Sequence, residues 1–175
     1  MDPLAQTDAL FFKDSNFDRD QAQAILKDAL HGADDGDLFL EIDYLEFLGF
    51  DDGRLKSASY NQSSGFGLRA ILGEADAFAH SGDMSMAALE RAGKTVKAVT
   101  SGYSGKLALS PANMANLPLY SDANPLDGTP FDAKVKLLQE IDAYARSKDS
   151  RVKQVSASIA GSWQAVQILR PDGYR

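Results

Sequence analysis

The segment that most resembles a chemical site is Gly65-Phe66-Gly67-Leu68-Arg69-Ala70. It fits the loose GxGxxA pattern, in which glycines let the backbone approach a dinucleotide pyrophosphate where a strand turns into a helix. Here Ile71-Leu72-Gly73 continues a strand-like alternation and does not open a helix. The pattern therefore predicts a bent strand whose glycines admit another backbone or a ligand, rather than a nucleotide site.

Metal chemistry has few candidate residues. The chain has no cysteine and two histidines, His31 and His80, and neither begins an HExxH motif. His31 suits the C-terminal end of a helix and His80 the end of a strand, so structural roles are predicted for both. The acidic pairs Asp34-Asp35 and Asp51-Asp52 lack the alternation of an EF-hand loop and are interpreted as solvated turns.

Phosphate and nucleophile motifs are also incomplete. Gly102-Tyr103-Ser104-Gly105-Lys106 has glycines too closely spaced for a P-loop, and Leu107 stands where Ser or Thr is needed. The chain has no GxSxG nucleophile elbow. A Ser-His-Asp arrangement assembled from distant positions is left open by the residue types alone.

Three helices are predicted from caps and apolar spacing. Their N-caps are expected at Asp18, Asp83 and Thr129, and Gly32 is expected to end the first helix in the left-handed conformation. Gly93 lies inside the second helix, where close packing on a sheet would explain it. The apolar stripes are Ala22, Ile25, Leu26, Ala29 and Leu30; Leu89, Ala92, Val96 and Val99; and Val135, Leu138, Ile141 and Ala145.

Strands are predicted where apolar residues alternate. The first four form an antiparallel meander with a turn at Asp51-Asp52-Gly53, and a final hairpin is expected to turn at Gly161-Ser162. The predicted strands are 38–45, 55–61, 66–72, 77–80, 152–159 and 163–169. Between the second and third helices, 102–128 is interpreted as a long surface loop. The sequence therefore predicts an α+β fold with a largely antiparallel sheet and about three helices on one face, as a single domain over 1–175.

Composition limits the partners. The chain has 175 residues, 44% of them hydrophobic and 25% charged, with a net charge of −7. Without a basic stripe, binding to nucleic acid is not expected. No signal peptide and no stretch of about 20 apolar residues is visible, so no membrane association is expected and the cytoplasm is the predicted location.

Several segments, in order, resemble the TldD branch of the TldD/PmbA family. The block Leu55–Ile71 carries the resemblance most clearly, and Gly36–Glu41 precedes it. Downstream, Lys134–Ala145 and Val152–Ser158, followed by Gly161, keep the family order. The similarity covers nearly the whole chain but includes no motif as specific as a metal signature.

The resemblance implies the N-terminal domain of a longer zinc-dependent peptidase that degrades or processes unfolded peptides. In this family, HExxxH and the other metal ligands lie in a C-terminal domain, and no position here matches them. The chain itself is therefore expected to hold no cofactor and to be inactive alone. The resemblance also implies a TldD- or PmbA-like subunit as partner, in a homo- or hetero-oligomer.

Two functional interpretations follow. In the first, this domain shapes the peptidase chamber and contacts subunits, and the strand carrying Gly65, Gly67 and Arg69 contacts an extended peptide. Arg69 is expected more as a structural ion-pair partner than as an anchor for a carboxylate. In the second, the chain is the corresponding domain of a non-catalytic PmbA/TldE-like partner, or a stand-alone interaction module.

Overall fold

The computed structural model describes residues 3–13, 15–101, 106 and 123–175. Most of the predicted 102–128 loop, with the P-loop-like segment, lies outside the described residues. The described residues form four helices and four strands. In chain order they are α1 (Pro3–Phe11), α2 (Arg19–Ala29), β1 (Asp35–Asp51), β2 (Arg54–Leu72), β3 (Ala75–Ser81), α3 (Met86–Thr100), α4 (Phe131–Lys148) and β4 (Ser156–Leu169).

The strands form one four-stranded sheet in the order β3-β2-β1-β4. β2 and β3 pair antiparallel, with Phe66 opposite Ser81 and Leu72 opposite Ala75. The predicted α+β class with a largely antiparallel sheet is confirmed. β1 extends beyond the predicted 38–45 at both ends. β2 joins the predicted strands 55–61 and 66–72 into one, because strand structure continues through Ser63-Ser64-Gly65, where the sequence suggested a break.

The chain divides into two compact units. The first comprises Met1–Ile42, Ser64–Tyr120 and Ala165–Arg175, and the second Asp43–Ser63 and Ser121–Gln164. β1, β2 and β4 each contribute residues to both units. The prediction of one domain over 1–175 stays a prediction.

In the first unit, α2 packs against α3, and α3 packs against β3. Asp18 caps α2 as predicted, since its side chain accepts a hydrogen bond from the backbone N–H of Gln21 at 2.8 Å. Gly32 follows α2 with a φ of 89°, the left-handed conformation expected there. Alternate apolar side chains of β1 and β2 are buried as predicted; they are Leu38, Leu40, Ile42, Leu68, Ala70 and Leu72.

Helix α3 corrects three expectations. Its N-cap is Ser85 rather than Asp83, and the Ser85 hydroxyl accepts from the N–H of Ala88 at 3.2 Å. A Cβ on Gly93 would lie 2.9 Å from Ile25 Cγ2, so the close neighbour is α2 and not the sheet. Val99, expected in the core, is 56% exposed.

In the second unit, α4 packs on the adjoining strands through Leu138, which contacts Leu48 and Phe50 in a buried cluster. The residue expected to cap α4, Thr129, does not do so: the N-cap position is Pro130, with no side-chain cap hydrogen bond. Ile141, predicted to be buried, is 41% exposed, whereas Asp142 is buried.

The predicted C-terminal hairpin differs from the structure. Where a turn was expected at Gly161-Ser162, β4 runs without interruption from Ser156 to Leu169. A Cβ on Gly161 would lie 2.7 Å from Leu126 Cδ2. The glycine therefore makes room for a neighbouring side chain and does not reverse the chain.

Candidate functional site

Of the predicted peptide-contact residues, Gly67 and Arg69 lie on the part of β2 that pairs with β3, and Gly65 directly precedes that part. Gly67 stands opposite His80, and Arg69 stands opposite Phe78. Gly65 is half-buried and Gly67 is buried. The three residues therefore share one segment of β2, and at Gly67 and Arg69 the strand is already paired with β3.

The two glycines allow other parts of the protein to come close. A Cβ on Gly65 would lie 2.8 Å from the carbonyl oxygen of Ser81, and one on Gly67 would lie 3.0 Å from the ring of Phe78. The close approach expected from the glycine pattern is thus made by β3. Contact with a peptide at these residues stays a prediction.

Arg69 forms the ion pair expected of it. Its Nη2 lies 2.8 Å from Asp37 Oδ2 on β1. The hydrogen bond to Asp37, together with the charge of that carboxylate, raises the pKa of the Arg69 guanidinium. The Arg69 side chain is 48% exposed, so it also presents a cationic surface beside Asp37.

The histidines lie where structural roles are expected, whereas Asp35 and Asp51 of the acidic pairs lie half-buried at the two ends of β1 and not in solvated turns. His31 is exposed after α2, and His80 stacks on Phe78 with ring centroids 5.6 Å apart. Asp35 pairs with Arg170 at 2.6 Å. Asp51 accepts from the Ser156 hydroxyl at 2.6 Å; that bond, with a weaker one from Gln154, lowers the Asp51 pKa.

Zinc does not fit the part of the chain that the structure describes. Within those ranges, no three His, Cys, Asp or Glu side chains lie close enough together to hold a metal ion. His80 is engaged with Phe78, and His31 stands exposed in the turn after α2. No catalytic step can therefore be derived through a metal held by these residues.

A polar cluster that the sequence did not predict joins three segments of the first unit around Asp8 of α1. Asp8 Oδ1 accepts from Gln167 Nε2 at 2.7 Å and from Arg175 Nη1 at 2.7 Å. Arg19 Nη1 lies 3.4 Å from Asp8 Oδ2. Burial alone would raise the Asp8 pKa, but the hydrogen bonds from Gln167 and Arg175 and the nearby positive charges outweigh it and lower the pKa.

A cleft of about 440 Å³ lies beside this cluster, between α1 and the end of β4. Gln167 lines it and is only 4% exposed. Its Oε1 has no hydrogen-bond partner among the described residues. Leu4, Val166 and Ile168 supply apolar walls. No sequence motif marks these residues, since they come from opposite ends of the chain.

The second unit has a groove of about 450 Å³ on its sheet. Leu45 and Phe47 on β1 are 51% and 41% exposed at its floor. Ser59 and Asn61 on β2 form one side. The groove offers apolar area and small polar groups, and Glu46, which also lines it, is ion-paired with Lys134.

Among the described residues, no helix has both the length and the apolar character needed to span a membrane. The described residues form a domain of the α+β class, with an antiparallel sheet and helices, and a fold of this kind does not by itself fix a function.

Comparisons with known proteins give the family. Residues 36–100 match the PmbA/TldA metallopeptidase domain 1, and residues 124–175 match the PmbA/TldA metallopeptidase central domain. Together the two matches cover most of the chain in the family order. The chain therefore belongs to the PmbA/TldD metallopeptidase family.

Individual relatives are similar to this chain in sequence, and solved structures are similar to it in fold. A metalloprotease TldD homolog from Haemophilus influenzae is 33% identical over 143 residues, which are 80% of this chain and 30% of that protein. A modulator of DNA gyrase from Bacteroides thetaiotaomicron has a similar fold, with a TM-score of 0.63 over 91% of this chain and 38% of that one, at 16% identity. TldE from Thermococcus kodakarensis gives a TM-score of 0.59 over 87% and 35%, at 14% identity. The chain thus spans about a third of the length of these proteins.

Proposed function

We propose that this chain is the N-terminal, non-catalytic part of a zinc-dependent peptidase of the family, acting on unfolded or extended peptides in the cytoplasm. The observation that carries the proposal is the ordered match to the first and central metallopeptidase domains. The similarity to metalloprotease TldD homologs, of which the chain spans about a third, supports a longer parent. The 175 residues contain no HExxxH, so the metal site belongs to the rest of that parent.

In this proposal the domain shapes the chamber and contacts another TldD- or PmbA-like subunit. An antiparallel sheet with exposed strands can pair with an extended main chain with little regard to its sequence. The fold similarity to TldE supports the presence of this architecture in more than one kind of family member. Chamber shaping and subunit contact are therefore assigned to the sheet surfaces and not to a reacting group.

The peptide-contact hypothesis for Gly65, Gly67 and Arg69 belongs to the same proposal. Because β3 pairs with Phe66–Leu72, a peptide would contact this segment through the face of the sheet, where Arg69 is half exposed. Titration of isotopically labelled 1–175 with an unstructured peptide should shift the amide signals of the three residues. Shifts confined to other regions would remove them from the peptide path.

A second candidate function is the corresponding domain of a non-catalytic PmbA/TldE-like subunit, or a stand-alone interaction module. The similarity of the fold to that of TldE favours the partner-subunit candidate. The coding sequence beyond Arg175 distinguishes the candidates. An HExxxH motif downstream supports the peptidase, a family-length chain without one supports the partner subunit, and a stop codon at this point supports the module.

A further inference from the structure

The cleft between α1 and the end of β4 combines apolar walls with two guanidinium groups. Its volume of about 440 Å³ lies within the range of about 300–1,000 Å³ that is usual for ligand sites. Leu4, Val166 and Ile168 line it and are 36%, 37% and 44% exposed. Arg170 and Arg175 line the same cleft. Apolar walls with a few fixed charges are typical of a site that takes a small molecule or a single residue.

Arg175 keeps two hydrogen-bond donors available beside the cleft. Its Nη1 lies 2.7 Å from Asp8 Oδ1 and 2.8 Å from Asp8 Oδ2. Its Nε and Nη2 have no hydrogen-bond partner among the described residues, and the side chain is 24% exposed. These two nitrogens form a planar fork that can donate two parallel hydrogen bonds to one carboxylate. Asp8 therefore holds the guanidinium in place and leaves one of its forks able to bind an anion.

The carboxylates around the cleft are each held by an arginine. Asp37, which lines the cleft, lies 2.8 Å from Nη2 of Arg69. Asp35 lies 2.6 Å from Nη2 of Arg170, and Asp8 is bound by Arg175 as described above. Opposite charges at these distances largely cancel the repulsion that an entering anion would meet. The cleft can thus accept a negative charge although the chain as a whole carries a net charge of −7.

We propose that this cleft binds an apolar group that carries a carboxylate. The C-terminal residue of a peptide and a small free carboxylic acid both have this chemistry. The carboxylate accepts hydrogen bonds from Nε and Nη2 of Arg175, and the apolar group lies against Val166 and Ile168. The inference goes beyond the proposed function, because the predicted peptide-contact residues of β2 do not line this cleft.

Titration of isotopically labelled 1–175 with N-acetyl-leucine tests the proposal. A short Gly-Ser tail after Arg175 keeps the terminal carboxylate of the tested chain away from the guanidinium. Binding should shift the amide signals of Val166 and Ile168 and the Nε–H signal of Arg175 with one common dissociation constant. N-acetyl-leucinamide, which lacks the negative charge, should bind about tenfold more weakly, because the charge-assisted hydrogen bonds are lost.

A third probe distinguishes the two sources of the carboxylate. 4-Methylpentanoate has the same apolar group and carboxylate as N-acetyl-leucine but no amide. Tighter binding of N-acetyl-leucine identifies the C-terminal residue of a peptide as the ligand. Equal or tighter binding of 4-methylpentanoate identifies a small free acid.

Substitutions separate the role of the guanidinium from that of the walls. Arg175→Gln should weaken the binding of N-acetyl-leucine about tenfold. Arg151→Gln removes an exposed arginine that is paired with Asp149 away from the cleft, and it should leave the affinity unchanged. Ile168→Asp leaves the Asp8 pair intact and adds a carboxylate at the wall, so it should weaken binding more than the uncharged Ile168→Asn of the same size.

Four results would overturn the proposal. They are no binding of any probe at millimolar concentration, equal affinity for N-acetyl-leucine and its amide, shifts that do not include the cleft, and equal effects of Ile168→Asp and Ile168→Asn. A folded Arg175→Gln variant that binds like wild type would exclude the assigned fork. All of these measurements are made without peptidase activity, so a negative result leaves the proposed peptidase function of the parent untouched.

Discussion

At the residue scale, the residues predicted to contact a peptide make contacts within the fold. Arg69 is bound to Asp37, and Gly65 makes room for the backbone of β3. The residue types alone predicted the Arg69 ion pair and the close approach at the glycines. They could not predict the cluster around Asp8, because Gln167 and Arg175 reach it from the far end of the chain.

The Asp8 cluster predicts a pH-dependent contribution to stability. The folded-state pKa of Asp8 lies below its ordinary value of 3.8, so its stabilising effect is present above that pH and is lost as the pH falls through the folded-state pKa. Asp8→Asn should lower the free energy of unfolding by about 1 kcal/mol at pH 7, and the difference from wild type should shrink below about pH 4.

Urea unfolding at several pH values measures this effect. Asp20→Asn serves as the control, because Asp20 is 85% exposed and its pairing with Arg19 is screened by solvent. A difference between Asp8→Asn and wild type that stays constant through the acid range would contradict the assigned role of the Asp8 charge.

The two glycines of β2 predict unequal costs of substitution. Gly65→Ala places a methyl group 2.8 Å from the backbone oxygen of Ser81, so the two strands must shift. Gly67→Ala meets the edge of the Phe78 ring, which can rotate away because Phe78 is 59% exposed. Thermal unfolding should show a loss of about 1–3 kcal/mol for Gly65→Ala and a smaller loss for Gly67→Ala. The reverse order would show that β3 is not fixed against Gly65 as described.

At the element scale, periodicity predicted most helices and strands and failed where packing overrides local signals. Helix α1 was not predicted, because its apolar residues give no clear stripe along the sequence. In the structure, Leu4 and Leu10 are exposed. Gly161 suggested a turn, but it makes room for Leu126 within a continuous strand. On α4, the spacing favoured burial of Ile141. The buried neighbour, Asp142, is instead held by Arg146 through a 3.0 Å hydrogen bond.

The packing of α4 on the sheet can be tested by comparing two adjacent leucines. Leu138 is fully buried against Leu48 and Phe50, whereas the adjacent Leu137 is 49% exposed. Leu138→Ala should cost about 2–5 kcal/mol of unfolding free energy through lost burial and a cavity. Leu137→Ala should cost well under half as much in the same urea titration. Equal losses for the two variants would mean that α4 docks through a different face.

At the scale of the whole molecule, three strands that run through both compact units predict how cooperatively the chain unfolds. β1, β2 and β4 each contribute residues to both compact units. We therefore expect 1–175 to unfold in one transition, as the sequence-based single domain implies. Leu89→Ala in the first unit and Leu138→Ala in the second should lower the midpoint of the same transition in calorimetry. Two transitions, each sensitive to one variant, would show two independently folding units.

The family could be predicted from ordered short matches along the sequence, because such matches record shared architecture even without a catalytic motif. The chemistry could not be located, since the chain has no cysteine, two separate histidines and no HExxxH. The full length of β2 could not be predicted either, because the sequence suggested a break at Ser63-Ser64-Gly65 where the structure has one strand.

The central claim is that 1–175 is the non-catalytic N-terminal part of a zinc peptidase. The most direct measurement is cleavage of an unstructured peptide by purified 1–175, together with its bound zinc after dialysis, beside the full-length parent with and without a chelator. The account predicts no cleavage and no stoichiometric zinc for 1–175, and chelator-sensitive cleavage for the parent. Zinc-dependent cleavage by 1–175 alone would contradict it.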